Sequence, residues 1–448
     1  AIMSASATAN ANPRVIFRSG ETPYHHDPFC RNEQHVTGDH YADALEAEGS
    51  CEGAPGAMSI YIHLPFCPSR CLSCDHNTTV THETGEIDRY LDALEQEMGM
   101  VTGRIGRGRP LMQLHIGGGT PNYLTDPQLV RLAAIIEDHF VIGPDTETSL
   151  DASPKRTSRA QLDLLQGLGF RRINFEVRDL DPGVQMAVGR SLSLPILQDV
   201  FDNARAAGFE TLSTDLVYGL PGQTLDSIRR TLRQLVELEP DRVACFSYSR
   251  RPESFQHQRA IDAGSIPSLA DKMAMFNAVV EAMQAADYTW IGLDCFVRRE
   301  DALSSAQLQR RLHRNWIGYT LHESRELLGF GTNAVSELKN LCVQNQLLIP
   351  NWKDAIRGGS LPVRGGMRLS DTDRERRNAM IDLMCNMELQ DYAALTDASG
   401  ESPTLAHLQR DGLVDISADR VAVTSHGRYM LHQIWGDSSP GHRWDGVW

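Results

Sequence analysis

Between residues 58 and 249, strand-like apolar runs alternate with amphipathic helical stretches, and this alternation limits the fold more than any other feature of the chain. The runs are MSIYIHL (58–64), LMQLHI (111–116), TSLDA (148–152), RINFEV (172–177), TLSTDLVYG (211–219) and RVACFSYS (242–249). Between them, IDRYLDALEQEM (87–98), PQLVRLAAIIEDHF (127–140) and DSIRRTLRQLVEL (226–238) repeat apolar residues at i, i+3 and i+4. Strands separated by helices imply parallel βαβ units. Six units in roughly 190 residues fall short of a closed eight-unit barrel, which takes ~250 residues. The expected fold is therefore an incomplete parallel α/β barrel of the (β/α)6 type.

The flanks read differently. Residues 1–55 are polar and weakly periodic, and predict an irregular N-terminal arm. The barrel domain with its extension is expected over 56–368, including a further strand-like run, YTWIGLDCF (288–296). From 369, SDTDRERRNAMIDLMCNMEL starts on a capping residue and turns helical, opening a C-terminal domain over 369–448. Within it GLVDISADRVAVTSHGRYMLHQI (412–434) reads as strand, turn, strand and helix, a small winged module. A net charge of −15 argues against nucleic-acid or membrane-surface partners, which want a basic face. No apolar run reaches the ~18 residues of a membrane span, and the opening AIMSASATANANP lacks the apolar centre of a signal peptide. Six of the nine cysteines are scattered singly (Cys30, Cys51, Cys245, Cys295, Cys342, Cys385). They read as small apolar residues in a reducing compartment, which places the protein in the cytoplasm.

The other three cysteines, Cys67, Cys71 and Cys74, stand within eight positions just after the first strand. Reactive groups of α/β barrels sit at such strand ends, and clustered thiolates select zinc or iron–sulfur clusters. His76 could complete a Cys3His zinc site. A closed cluster would want four protein ligands. A [4Fe–4S] cluster on three thiolates keeps one iron open for a small molecule. The second strand ends in HIGGGTPNYL (115–124), whose glycines let backbone approach a ligand closely.

C-x3-C-x2-C after the first strand and GGGTP after the second resemble the radical S-adenosylmethionine (SAM) enzymes. YIHLPFC (61–67), DLVYGLPGQT (215–224), LHRNWIGYT (312–320), LLGFGTNAVS (327–336) and GLVD…VTSHGR extend the likeness to the oxygen-independent coproporphyrinogen III oxidases. The resemblance implies a cluster on Cys67, Cys71 and Cys74 whose open iron takes SAM. It also implies one-electron cleavage of SAM to a 5′-deoxyadenosyl radical, which takes hydrogen from a porphyrinogen propionate. Two propionates of coproporphyrinogen III then become vinyls. A small flavodoxin- or ferredoxin-like protein would supply electrons.

By position, the resemblance implies a first SAM against Tyr61, Gly118, Asp151 and Val335. A second SAM would meet Ser73, Gly119, Thr120, Arg178, Arg190, Asp215 and Ser249. The chain departs from the family at several of these: Asp151 replaces Glu, Ser73 an aromatic, Arg178 a Gln and Ser249 an Ala. Asp75-His76 also replaces a Gly-Cys pair, and SGETPYHHDPF lacks the arm's usual Arg-Tyr-Thr pattern. Two like charges ~4 Å apart at an effective dielectric of ~20 repel by about 4 kcal/mol. Arg178 should therefore weaken binding of the second sulfonium unless Asp179 or Asp215 neutralises it. Arg250, Arg251, Arg298 and Arg299 follow strand ends and suit substrate carboxylates, since guanidinium binds them bidentately. Rival readings are a paralogue acting on another tetrapyrrole and a haem-binding chaperone, with His25, His26 or His76 as axial ligand.

Overall fold

The computed structural model describes residues 36–50, 56–324, 326–397, 400, 402–432 and 434. Its centre is one twelve-stranded sheet. In chain order the strands are β1 (Met58–Leu64), β2 (Arg109–Gly118), β3 (Phe140–Ala152), β4 (Arg172–Arg178), β5 (Thr211–Tyr218) and β6 (Arg242–Ser247). Then come β7 (Tyr288–Gly292), β8 (Cys295–Arg298), β9 (Leu327–Phe330), β10 (Val335–Leu338), β11 (Leu341–Asn345) and β12 (Val363–Arg368). They lie in the order β12-β11-β10-β9-β1-β2-β3-β4-β5-β6-β8-β7. Strands β9 and β1 to β6 run parallel. β10–β12 continue one edge and the β7–β8 hairpin the other, all antiparallel. The edges do not pair with each other, so the parallel α/β barrel is incomplete.

The helices return the chain across this sheet as their periodicity predicts. α2 (Thr84–Ile105) buries Ile87, Tyr90, Leu91, Leu94, Met98 and Val101 along one stripe, and α3 (Asp126–His139) starts on a Thr125 capping box. Among the described residues no helix is long and apolar enough to cross a membrane. A second core packs Met380, Leu383, Leu405, Leu413, Val421 and Leu431 against Ile291 and Val297 of the β7–β8 hairpin. Its winged part is strand Val414–Ile416, strand Arg420–Val423 and helix Ser425–Tyr429.

Three expectations need correction. Residues 38–49, placed in an irregular arm, form helix α1 (Gly38–Gly49). It buries only Tyr41 and Leu45, an i, i+4 pair too sparse to show in the sequence; the Tyr41 hydroxyl donates to Ser336 at 2.9 Å. The run 288–296 is a hairpin, because Leu293 takes a left-handed turn conformation at φ +50°. Cys342 is disulfide-bonded, whereas the other six described cysteines are not; connectivity cannot be deduced from cysteine spacing alone.

Buried Glu97 ties α2 to the β9 edge. Its carboxylate accepts from the Gly331 N–H at 2.8 Å, Asn345 Nδ2 at 2.6 Å and Trp352 Nε1 at 3.2 Å. Burial pushes this carboxyl up to about 8, against the pull of its three donors. A raised carboxyl holds its proton more tightly when folded. Its stabilisation is complete below the ordinary value of 4.5 and is lost as pH rises through 8. Glu97→Gln removes the titrating group and, relative to the ionised acid, sets an amide N–H against one of these donors, at a cost of about 1–3 kcal/mol. It should also flatten the fall in stability across this pH window. Denaturant melts of both proteins at each end of the window check this; parallel pH profiles would exclude the assignment.

Candidate active site at the cysteine loop

Beyond β1 the chain passes Pro65 into a two-residue strand, Phe66–Cys67, which pairs in parallel with Thr79–Val80. That pairing closes residues 68–78 into a loop carrying Cys71 and Cys74. The glycine run docks beneath it. The Gly119 N–H donates to the Leu64 carbonyl at 2.7 Å and the Thr120 N–H to the Phe66 carbonyl at 2.8 Å. A Cβ on Gly119 would stand 2.6 Å from the Phe66 carbonyl oxygen, and Gly118 sits at φ +118° with its Cβ position 2.9 Å from the Leu64 carbonyl oxygen. The glycines thus serve first to bring two strand ends together. The Gly119 and Thr120 amides are spent on protein carbonyls.

Each cysteine is tied to a different element. Cys67 is buried, with its Sγ 3.4 Å from the Thr120 hydroxyl. Arg190 points Nη1 at the Cys71 sulfur, 3.6 Å away, and gives Nη2 to the Glu176 carbonyl at 2.9 Å. The Cys74 carbonyl accepts from Gln258 Nε2 at 3.1 Å and lies 2.7 Å from His257 Nε2. Burial pushes the Cys67 thiol up to about 12. Burial also opposes ionisation of Cys74, but His76 and Arg178 hold that thiol below its ordinary value.

Among the described residues no three His, Cys, Asp or Glu side chains converge as one metal ion requires. His76 sets Nδ1 3.2 Å from Asp75 and also hydrogen-bonds the Cys74 side chain. A four-iron cluster spreads its thiolates over separate irons, and three free thiols on one loop suit it. The buried polar atoms left without hydrogen-bond partners include several on or beside the loop: Ser73 Oγ, Arg178 Nε, Tyr248 OH, and Nε and Nη2 of Arg251. Unmatched buried donors of this kind point to a missing polar ligand.

The other candidates line the strand ends. Tyr61 OH lies 3.1 Å from His63 Nδ1, and His63 Nε2 lies 2.9 Å from the Asn77 carbonyl. A carbonyl only accepts, so Nε2 carries the proton and Nδ1 takes the Tyr61 hydroxyl. Burial lowers His63 to about 4, which keeps it neutral. The Tyr61 ring stacks on His115, whose Nε2 is 3.5 Å from Asp151 Oδ2; Asn174 donates to Asp151 at 3.0 Å. Burial opposes its charge, but His115 and Asn174 hold Asp151 below the ordinary carboxylate value.

Arg178 occupies a left-handed backbone position, φ +66°, where the β4–β5 register slips. Such strain in a non-glycine residue is typical of sites. The negative groups acting on it are Glu176, Asp215 and Asp75, which together outweigh its burial. Asp179 is instead held by Gln223 at 2.6 Å and Thr231 at 3.1 Å. Of the two acids beside it in the sequence reading, Asp215 acts on Arg178 and Asp179 does not. Asp215 accepts the Val177 N–H at 2.9 Å, and burial raises it to about 6.

Ser249 is half-buried just past β6, and Val335 is buried at the start of β10. Arg298 and Arg299 do not belong here. β8 runs antiparallel to β6 and sets Val297 beside Arg242, at the opposite end of the sheet; the two arginines pair with Glu239 and Asp287. His25 and His26 lie outside the described residues. His63, His115, Asn174 and Glu176 escaped the sequence reading because only the folded register brings them to the site.

A parallel sheet with this loop at its first strand end defines a radical SAM protein, and the Radical SAM superfamily pattern matches residues 61–235. The oxygen-independent coproporphyrinogen III oxidase of Pseudomonas aeruginosa is 34% identical over 406 residues, covering 88% of this chain and 87% of that protein. That of Escherichia coli is 35% identical over 386 residues, covering 84% of each. The solved structure of E. coli coproporphyrinogen III oxidase (HemN), described as a radical SAM enzyme, superposes with a TM-score of 0.84 at 32% identity, over 92% of this chain and 95% of its own. The chain belongs to the oxygen-independent coproporphyrinogen III oxidase family, and membership implies a [4Fe–4S] cluster and SAM.

A methyl group at Gly119 must displace the backbone that carries Cys67. Gly119→Ala should therefore lower iron incorporation on anaerobic reconstitution to well under half of wild type, while His76→Ala retains it. Iron and sulfide analysis decides; equal loading of the Gly119 variant would contradict this account of the loop.

Proposed function

We propose that this protein converts two propionates of coproporphyrinogen III to vinyls, giving protoporphyrinogen IX in haem biosynthesis. The observation that carries this reading is similarity to named oxidases along nearly the whole of both chains, joined to three free thiols on the loop after β1. Cys67, Cys71 and Cys74 would hold the cluster. Tyr61, Gly118, Asp151 and Val335 would hold the first SAM, and Ser73, Gly119, Thr120, Arg178, Arg190, Asp215 and Ser249 the adjoining ligand. Together the cluster and SAM would supply hydrogen-atom abstraction from the β-carbon of a propionate, after which loss of carbon dioxide and of one electron to an acceptor would leave the vinyl.

The protein's own groups supply position and charge. Asp151, kept ionised by His115 and Asn174, accepts from the cationic or hydroxyl groups of a bound nucleoside. Neutral His63 fixes the Tyr61 hydroxyl and exchanges no proton at neutral pH. We assign catalysis to residues 56–368 and a structural role to 369–448, whose core packs on the β7–β8 hairpin. The partners are the tetrapyrrole and a small flavodoxin- or ferredoxin-like electron donor. The compartment is the cytoplasm, in keeping with free thiols at six of the seven described cysteines.

Anaerobic incubation with SAM, a low-potential reductant and coproporphyrinogen III tests the reading. Protoporphyrinogen IX, carbon dioxide and 5′-deoxyadenosine should form together. Cleavage of SAM with the tetrapyrrole unchanged would reject this substrate.

A further inference from the structure

Arg251, one of four arginines that the sequence suits to substrate carboxylates, is a buried cation beside the cysteine loop. It is 6% exposed, and its guanidinium carbon lies 5.2 Å from the centre of the Phe255 ring. Its backbone N–H donates to Gln258 Oε1 at 2.6 Å, and Gln258 also holds the Cys74 carbonyl. The nearest carboxylate, Asp75, stands 3.8 Å from Nη2, too far for a hydrogen bond. Both Nε and Nη2 lack a hydrogen-bond partner. These two nitrogens form one edge of the planar fork, the edge that a carboxylate accepts with both oxygens.

Further unmatched donors lie close by. Ser73, 2% exposed, and Tyr248, 4% exposed, each bury a hydroxyl without a partner, as Arg178 buries its Nε. Asp75 links the group: it is next to Cys74, 3.8 Å from Arg251, and its charge acts on both Arg178 and Tyr248. Arg250, in contrast, gives its Nε to the Ile261 carbonyl at 3.2 Å. Donors without acceptors call for an anion, while Asp75, Glu176 and Asp215 around Arg178 disfavour a doubly charged one. A planar monoanion fits.

We propose that Arg251, flanked by Ser73, Tyr248 and Arg178, forms a carboxylate-binding subsite on the wall of the cysteine loop and decides which carboxylate-bearing molecule is held there. The source of the carboxylate rests on the function proposed above: a tetrapyrrole propionate, or the amino-acid end of SAM.

Binding to anaerobically reconstituted protein separates these cases. The probes are coproporphyrin III, its tetramethyl ester and SAM, followed by fluorescence titration and equilibrium dialysis. Arg251→Gln should weaken coproporphyrin III at least tenfold and leave the ester unchanged. Arg251→Lys, which offers a point charge in place of an edge, should recover only part of the loss. Asp75→Asn, which frees the guanidinium from its competitor, should tighten the acid several-fold, a gain that misfolding cannot mimic. Weakening confined to SAM assigns the subsite to its amino-acid carboxylate. Unchanged dissociation constants for both ligands in Arg251→Gln, or no tightening in Asp75→Asn, would overturn the proposal. Wild-type protein that binds SAM but no tetrapyrrole would instead count against the proposed function, with the SAM arm still reading the subsite.

Discussion

Two backbone hydrogen bonds, from Gly119 to Leu64 and from Thr120 to Phe66, hold the site together. They fasten the end of β2 under the end of β1, and the residues they fasten lead straight into Cys67. The contact requires the absence of side chains, since a Cβ at Gly119 falls inside the van der Waals distance of two carbonyl oxygens. The start of the cysteine loop takes its position from this docking, and the polar groups of β3 to β5 are set beside it by the pairing of their own strands. A glycine run that looks suited to holding a phosphate or a nucleoside therefore works first as a joint between strands.

The charges around the loop are arranged in layers. Near β1 the Tyr61–His63 pair is neutral, with His63 buried, while Asp151 keeps its charge through His115 and Asn174. Nearer Cys74 the groups are oppositely charged and crowded: Arg178 and His76 face Asp75, Glu176 and Asp215. Taking Arg178 by itself suggests a cation that repels a sulfonium. Taking its neighbours with it gives a nearly balanced cluster, in which a further ligand meets both signs of charge.

Much of this was legible in the sequence because it is local. The six β-like runs correspond to β1–β6, and the capping Ser370 starts a helix as its side chain suggests. The cysteine triplet was legible through its density. What stayed hidden depends on register and distance. Helix α1 shows two buried residues to a sequence reader, and its anchor at Ser336 lies 295 residues away. Arg298 and Arg299 follow a strand as Arg250 and Arg251 do, yet a hairpin reverses their direction and sends them to the other end of the sheet. Asp179 adjoins Arg178 in sequence but turns into the core toward Gln223.

The central claim is that a loop with three thiolates leaves one iron of the cluster to an exogenous ligand. Electron paramagnetic resonance of the reduced, reconstituted protein tests it directly, using SAM labelled with nitrogen-15 at its amino group and oxygen-17 at its carboxylate. The account predicts hyperfine coupling from both labels, together with a changed cluster spectrum when SAM is added. A spectrum identical with and without labelled SAM, in protein shown to carry four irons, would contradict it.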